Sequence, residues 1–103
     1  MNYVLTEAAE DDMRGIIRYT LREWGDVQVH RYLNKLEQGM ACLAACQQPF
    51  TDMSALYPAL RMAHCEHHYI FCPPRANAPA LIVAIFHERM NLMVRNYGDS
   101  ALN

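Results

Sequence analysis

The sequence predicts an α+β domain in which two helices cover one face of an antiparallel sheet, with the element order β-α-α-β-β-β-α. In the first half, two stretches have the apolar spacing of amphipathic helices, and Gly25 alone separates them. In the second half, three β-prone runs follow one another with short turn-forming segments between them, which is typical of an antiparallel meander. The length of 103 residues predicts a single domain, residues 1–103, built on one core.

Tyr3-Val4-Leu5 is predicted to be a short N-terminal strand, and Thr6 behind it is a suitable N-cap for the first helix. Acidic residues crowd the next turns, where they suit the positive end of the helix dipole. Residues that recur at three- and four-residue steps predict one buried face, and they are Ala9, Met13, Ile16, Ile17, Thr20 and Trp24. Gly25 is expected to end this helix.

Asp26 is expected to cap the second helix, which should fold back on the first as an αα-hairpin because so little chain lies between them. A regular apolar seam at steps of four and three is formed by Val29, Leu33, Leu36, Met40 and Leu43. The helix should end near Ala45 to Gln47, before Pro49. Gly15 and Gly39 lie inside the two helices, where each costs ~1 kcal/mol relative to alanine, so we expect a packing reason such as a close crossing of the helices.

The segment from Gln47 to Pro58 is predicted to be a connecting loop, and Leu60–Cys65 and His67–Cys72 are predicted to be strands on either side of Glu66. The seven apolar residues Ala80–Phe86 predict a central strand buried on both faces. Polarity then switches abruptly at His87-Glu88-Arg89, which would lie at the rim of the sheet. Apolar residues from Met90 onward have spacings that suit a short C-terminal helix.

Composition excludes several classes of function. The net charge is −2, with Lys35 the only lysine beside eight arginines and with no basic run, so direct binding of nucleic acid is not expected. No run approaches the ~18 apolar residues that a membrane span requires, and no signal-peptide h-region is expected at the N-terminus. We therefore expect a cytoplasmic protein whose four cysteines are thiols rather than disulfides.

Residues 1–52 carry five basic and eight acidic residues, whereas residues 53–103 carry four basic and three acidic residues. Four of the five histidines also lie in the second half. Any contact with an anionic group is therefore expected there.

The cluster His64-Cys65-Glu66-His67-His68, with Cys72 beyond it, resembles a zinc site only in composition. Neighbouring residues of a strand point to opposite faces, so His64 and Cys65 cannot face one ion, and the paired C-x-x-C patterns of zinc sites are absent. Cysteine–histidine catalysis would need a thiol of low pKa beside an oriented base, which no local pattern indicates. We predict neither a metal nor another cofactor, and we interpret the histidines as strand-end residues at a tight turn.

A metal-free ribonuclease site is the remaining catalytic hypothesis. Such a site would combine a general base, a general acid and cations that stabilise the phosphate in the transition state. The second half supplies suitable residue types, namely Arg61, His64, His68, Arg75, His87, Arg89, Arg95 and Tyr97. The density of positive charge is low for this purpose, since no lysine follows Lys35.

Five stretches in order along nearly the whole chain resemble the ParE toxins of the RelE/ParE superfamily. The family's opening strand and helix start are resembled by Tyr3-Val-Leu-Thr-Glu-Ala-Ala-Glu-Asp-Asp12 of this chain. The family's helix-hairpin turn and second helix are resembled by Trp24-Gly25 followed by Arg31-Tyr32-Leu33-x-x-Leu36-Glu37. The family's paired central strands are resembled by Leu60-Arg61 and His68-Tyr-Ile-Phe71. Its closing signature is resembled by Ile85-Phe-His87-Glu-Arg89-Met-Asn-Leu92. Each stretch is loose alone, and the order and spacing of all five make the resemblance fairly specific.

The resemblance implies a toxin of a type II toxin–antitoxin module that is neutralised in a hetero-oligomer by a cognate antitoxin. In such modules the flexible tail of the antitoxin folds onto the toxin as it binds. ParE toxins are associated with inhibition of DNA gyrase, which makes gyrase the expected target. RelE relatives instead cut mRNA on the ribosome with a set of lysines, arginines and a tyrosine. This chain lacks those lysines, so a RelE-like endoribonuclease is the alternative interpretation.

We therefore predict that the effect is exerted by binding, with no catalytic residue. The bases nearest the end of the predicted central strand form the hypothetical target-binding patch, and they are Arg61, His87, Arg89 and Arg95. An apolar surface after that strand is the hypothetical antitoxin-facing region, and it consists of Met90, Leu92, Met93 and Val94.

Overall fold

The computed structural model describes residues 3–46, 50–73, 75 and 77–89. Its helices and strands are β1 Tyr3–Leu5, α1 Glu7–Trp24, α2 Asp26–Ala44, β2 Thr51–Asp52, β3 Arg61–Cys65, β4 His68–Cys72, β5 Ala80–Ile82 and β6 Ala84–His87. The predicted α+β class, with an N-terminal strand, a helical hairpin and an antiparallel meander, is confirmed. The predicted C-terminal helix lies outside the described residues.

Local capping chemistry sets the bounds of α1. The Thr6 hydroxyl accepts a hydrogen bond from the Ala9 backbone N–H at 3.1 Å, as its N-cap position predicts. Gly25 ends the helix with a φ of 89°, a left-handed value that favours glycine. The same Gly25 is also the N-cap of α2, so the prediction that Asp26 caps this helix is wrong. Asp26 is instead the first helical residue, where its carboxylate still suits the helix dipole.

The helical hairpin buries one face against the sheet. Fully buried side chains from both layers meet there, and they include Leu36, Met40 and Leu43 of α2 and Ile70, Cys72 and Ile82 of the strands. The apolar face predicted for α1 is right for Ala9, Ile16 and Thr20, which are buried, and wrong for Trp24. Trp24 is 69% exposed because the helix reaches its last residue at the hairpin turn, past the buried part of its face.

Gly39 is a point of close approach between α2 and the sheet. A Cβ atom at this position would lie 2.7 Å from Cys65 Sγ and 3.1 Å from Cys65 Cβ. The expected crossing of the two helices is therefore not the reason for this glycine. Gly15 has nothing within 4 Å of an added Cβ atom, so no packing constraint acts there among the described residues.

The strands form a two-stranded sheet of order β1-β5 and a four-stranded sheet of order β2-β3-β4-β6. The β3–β4 and β4–β6 pairs are antiparallel, whereas β1 and β5 pair in parallel with Tyr3 opposite Ala80. β2 lies within the segment predicted to be a loop and pairs with β3. No helix among the described residues is long and apolar enough to cross a membrane.

The prediction of one central strand over Ala80–Phe86 is wrong. Val83 interrupts it, so that β5 pairs with β1 while β6 pairs with β4 at the end of the four-stranded sheet. The Val83 N–H donates to the Phe71 carbonyl at 3.0 Å, which keeps the two halves in line. Within the run only Ile82 and Ile85 are buried, because its two halves have partners in different sheets.

Candidate functional site

The β3–β4 turn and the end of β6 bring four of the five histidines to one end of the sheet. In this register Cys65 lies opposite His68, and His68 lies opposite His87 on the neighbouring strand. The turn between β3 and β4 is made by Glu66, which has a φ of 55°, and His67. We call His64, His67, His68, His87 and Glu88 the histidine end of the sheet.

Glu88 holds two of these histidines at once. Its carboxylate oxygens lie 2.9 Å from His64 Nε2 and 2.9 Å from His67 Nδ1. Its backbone N–H donates to the His67 carbonyl at 2.8 Å, so the contact continues the sheet past the end of β6. Hydrogen bonds from His67 and His64 hold the pKa of Glu88 below its usual value.

A buried hydrogen-bonded pair lies beneath this cluster. The Tyr32 hydroxyl accepts a hydrogen bond from the His67 backbone N–H at 3.0 Å and lies 2.6 Å from His68 Nδ1. Because the hydroxyl has one hydrogen to donate, we assign Nδ1 of His68 as the acceptor and Nε2 as the protonated nitrogen. Burial, with smaller contributions from the neighbouring His87 and His67, lowers the pKa of His68 to about 4. The ring is therefore neutral near pH 7.

A cleft of about 810 Å³ is lined by residues of both the helical hairpin and the histidine end, and we call it the hairpin–sheet cleft. Its helical side includes Ile16, Tyr19 and Trp24 of α1, and its sheet side includes Ile85, His87 and Arg89. Tyr19 and Trp24 are 54% and 69% exposed at its rim. The cleft therefore combines exposed aromatic side chains with polar groups at the strand ends.

A second groove, of about 400 Å³, has no charged residue in its lining. It is formed by the 56–60 segment together with β4, β5 and β6, and its residues are Leu56, Tyr57, Leu60, Phe71, Pro73, Leu81, Val83, Ala84 and Phe86. Phe71 alternates with the core residues Ile70 and Cys72 along β4, so this groove lies on the sheet face away from the helices.

Arg61, the first residue of the predicted target-binding patch, lies at the other end of β3. Its guanidinium donates to the Leu43 carbonyl at 3.3 Å, contacts the thiols of Cys46 and Cys72, and lies over the Phe50 ring. It is one strand length, roughly 13 Å, from the turn that leads to the histidine end. The structure thus does not bring Arg61 together with His87 and Arg89.

His87 and Arg89 do lie together, because the Arg89 backbone N–H donates to His87 Nδ1 at 3.0 Å. The fourth predicted member of the patch, Arg95, lies outside the described residues. The whole predicted antitoxin-facing surface also lies outside them, namely Met90, Leu92, Met93 and Val94.

The described residues contain no group of three or more histidine, cysteine or acidic side chains arranged to hold a metal ion. At the histidine end, His64 Nε2 and His67 Nδ1 are each hydrogen-bonded to an oxygen of the Glu88 carboxylate. All four cysteines are free thiols, and burial raises the pKa of Cys65 and of Cys72. Raised thiol pKa values are the opposite of what a nucleophilic cysteine requires.

Sequence reasoning missed two features of this region. Tyr32 was part of a helical motif, yet its hydroxyl joins α2 to the β3–β4 turn 35 residues away. Trp24 was predicted to lie on the buried face of the first helix and Tyr19 was given no role, yet both side chains line the hairpin–sheet cleft. A polar hydroxyl on the buried face of α2 was the only signal in the sequence, since a buried tyrosine hydroxyl usually requires a partner.

Comparison with known proteins now identifies the family. The sequence model described as the ParE toxin of the type II toxin–antitoxin system, parDE, matches residues 3–92. The curated Toxin ParE of Escherichia coli is 70% identical over 93 residues, which is 90% of this chain and 90% of that protein. A solved structure of the chromosomal ParDE TA system from P. aeruginosa superposes with a TM-score of 0.68 at 15% identity, covering 84% of this chain and 95% of that one, so it is similar in fold. The chain belongs to the ParE toxin family of type II toxin–antitoxin systems.

Proposed function

We propose that this ParE-family toxin arrests growth in the cytoplasm by binding and inhibiting DNA gyrase, without catalysing a reaction of its own. The family places the chain among toxins, and inhibition of gyrase is the activity that this resemblance implies. The observation that carries the choice of binding over catalysis is the scarcity of cations beside the acid–base groups at the histidine end. Among the described residues, Arg61 is engaged at the other end of β3, and Arg89 lies beside His87 at the histidine end.

The target-binding patch that we propose is centred on His87 and Arg89, with Arg95 as a further member. Arg89 is exposed at the end of β6, and its position is set by its backbone hydrogen bond to the His87 ring. Arg61 is left out of this patch because its guanidinium is already engaged at the other end of the sheet.

We propose that a cognate antitoxin neutralises the toxin by binding it directly in a hetero-oligomer. This proposal is supported by family membership and by the similarity in fold to a protein of the P. aeruginosa ParDE system. Its contact surface would include the apolar residues after Arg89, namely Met90, Leu92, Met93 and Val94. A partner that buries such a surface gains free energy in proportion to the apolar area removed from water.

The alternative, a RelE-like endoribonuclease, has one observation in its favour. Glu88 orients two exposed imidazoles, and a histidine oriented by a carboxylate is a common arrangement for a general base. The cations that would stabilise a phosphate are few in the described residues, since Arg61 is engaged elsewhere and Arg89 is alone beside the pair. Binding therefore remains the better-supported function.

Inhibition of gyrase can be measured directly with purified components. We expect the wild-type protein to block negative supercoiling of relaxed plasmid by gyrase, and addition of the antitoxin to restore it. The double variant R89A/R95A should lose inhibition while keeping antitoxin affinity, whereas R14A/R18A, which also removes two arginines, should behave as wild type. Cleavage of mRNA on ribosomes, with supercoiling unaffected, would refute the proposal in favour of the endoribonuclease.

A further inference from the structure

We propose that the hairpin–sheet cleft is the docking site for the protein's own C-terminal segment, residues 90–95, when the toxin has no partner bound. The last described residue of the chain, Arg89, is one of the residues that line the cleft, so the segment starts at its edge. The inference concerns the toxin on its own, so it does not depend on the identity of the target. An antitoxin that takes the same apolar residues, as proposed above, would compete with the cleft for them.

The segment can reach every part of the cleft. Ile85 and Arg89 both line it from the end of β6, and four residues of extended chain separate them by roughly 13 Å. Six residues of extended chain span up to about 20 Å, so residues 90–95 are long enough to cross from Arg89 to α1. A tether this short gives the segment an effective concentration on the order of mM at the cleft.

The apolar residues of the segment match the walls of the cleft. Ile16 of α1 and Ile85 of β6 line it from its two sides, and both are buried. The volume of about 810 Å³ has room for several side chains between them. Four of the six residues of the segment are apolar, namely Met90, Leu92, Met93 and Val94. Burial of such side chains is favourable, and methionine adapts well to an irregular space.

Two exposed aromatic rings at the rim add to this match. Tyr19 is 54% exposed and Trp24 is 69% exposed, although a tryptophan usually buries most of its surface. Methionine sulfur makes favourable contacts with aromatic rings, and the segment contains two methionines. Docking of the segment would therefore cover part of these two rings.

The charges of the cleft and the segment are complementary. Among the described lining residues, Asp12 and Glu88 are acidic and Arg89 is basic, so the lining carries a net negative charge while its histidines are neutral. Arg95 is the only charged residue in positions 90–95, which gives the segment one positive charge. Although Glu88 is hydrogen-bonded to two histidines, each carboxylate oxygen can accept a second hydrogen bond. The lining therefore suits an apolar segment with one arginine.

Trp24 makes docking measurable without any partner. It is the only tryptophan of the chain and lines the cleft, so quenching of its fluorescence by acrylamide reports how accessible the rim is. The full-length protein would be purified with the antitoxin, which is then removed. We expect L92Q/M93Q and R95E each to raise the quenching constant about twofold and to shift emission to longer wavelength, because both changes weaken the docked form.

Two control variants match these changes. L102Q replaces an apolar residue by glutamine outside positions 90–95. R75E reverses the charge of an exposed arginine that follows β4, away from the histidine end. Both should be quenched as the wild type is. A cooperative thermal transition in all four variants would show that the hairpin and the sheet remain folded.

The contrary results name the other occupants. If L92Q/M93Q and R95E are quenched as the wild type is, the segment does not cover the cleft and the inference is wrong. If shielding of Trp24 in the wild type increases with protein concentration, a second copy of the chain is the occupant instead. If Trp24 becomes shielded only when the antitoxin is added, the cleft belongs to the antitoxin. A toxin that leaves gyrase active would overturn the proposed function and leave this inference intact.

Discussion

Glu88 and His67 are joined twice, once through the Glu88 carboxylate and His67 Nδ1 at 2.9 Å and once through the Glu88 N–H and the His67 carbonyl at 2.8 Å. The first contact is a charge-assisted hydrogen bond and the second is a backbone bond beyond the end of β6. Together with His64 they fasten the β3–β4 turn to the strand end that carries Arg89. The orientation of the proposed target-binding patch thus depends on an interaction between side chains.

Replacement of Glu88 by glutamine should loosen this connection. E88Q keeps the shape of the side chain and removes its charge, so the free energy of unfolding should fall at pH 7. Because hydrogen bonds from the histidines lower the pKa of Glu88 from 4.5, the contribution of its charge is present above about pH 4.5 and is lost as pH falls through the lower, folded-state pKa. The difference between E88Q and the wild type, measured by urea denaturation, should therefore shrink below that pH.

E66Q is the matched control, since Glu66 lies in the same turn. Its carboxylate contacts Lys35 Nζ at 3.4 Å on the exposed surface, where ion pairs contribute little. We expect its unfolding curve to overlie that of the wild type at pH 7. An E88Q unfolding curve that also overlies the wild-type curve at pH 7 would show that the contacts of Glu88 with His64 and His67 do not contribute to stability.

His68 should make the protein sensitive to mild acid. Its pKa is about 4 in the folded protein and near 6.5 when unperturbed, so the unfolded chain binds a proton more readily than the folded chain across this window. Stability should therefore fall as pH falls from about 6.5 to about 4, by a total on the order of 3 kcal/mol for this one group. Urea denaturation at intervals between pH 7.5 and pH 4 would measure the slope.

The variant H68Q should reduce that slope, because glutamine does not titrate. H30Q is the control, since His30 is exposed on α2 and its ring lies 2.9 Å from the Asp26 carbonyl in its own helix. It should leave the slope unchanged. Equal slopes for H68Q and the wild type would mean that another group causes the acid sensitivity.

Loss of the single hydroxyl group of Tyr32 should lower the free energy of unfolding. In Y32F the His67 N–H loses its acceptor at a half-buried position, and His68 Nδ1 loses its donor at a buried one. We expect a decrease of about 1–3 kcal/mol in the free energy of unfolding at pH 7.5. Y69F, in which the altered tyrosine lies on the other face of β4, should change stability much less. A Y32F variant as stable as the wild type would contradict the proposed hydrogen-bond pair.

Features set by neighbouring residues could be predicted from the sequence, whereas features set by distant contacts could not. Thr6 as an N-cap and Gly25 as a helix end follow from local hydrogen bonding and backbone freedom. The break at Val83 depends on pairing with strands far away in sequence, which no periodicity encodes. For the site, His87 and Arg89 were correctly placed at a strand end, but the period of α1 continues through Trp24 without indicating where burial stops.

Gly39 and Gly15 should respond to alanine in opposite directions. In G39A the new methyl group would lie 2.7 Å from Cys65 Sγ, so overpacking of about 1–3 kcal/mol should exceed the ~1 kcal/mol gained in helix propensity. In G15A the position is open, so stability should rise by up to ~1 kcal/mol. Thermal unfolding measures both, and G39A/C65A should recover part of the loss. A stabilising G39A would show that the helix does not approach the sheet so closely.

Arg61 should affect stability rather than toxicity. Its guanidinium caps the Leu43 carbonyl near the C-terminus of α2 and lies over the Phe50 ring at 5.6 Å, so it connects the helix end to β3. We expect R61A to lower the free energy of unfolding by about 1–2 kcal/mol through the lost hydrogen bond and packing. Gyrase affinity per folded molecule should stay at the wild-type value, while R89A loses affinity and keeps stability. A folded R61A protein without gyrase affinity would return Arg61 to the target-binding patch.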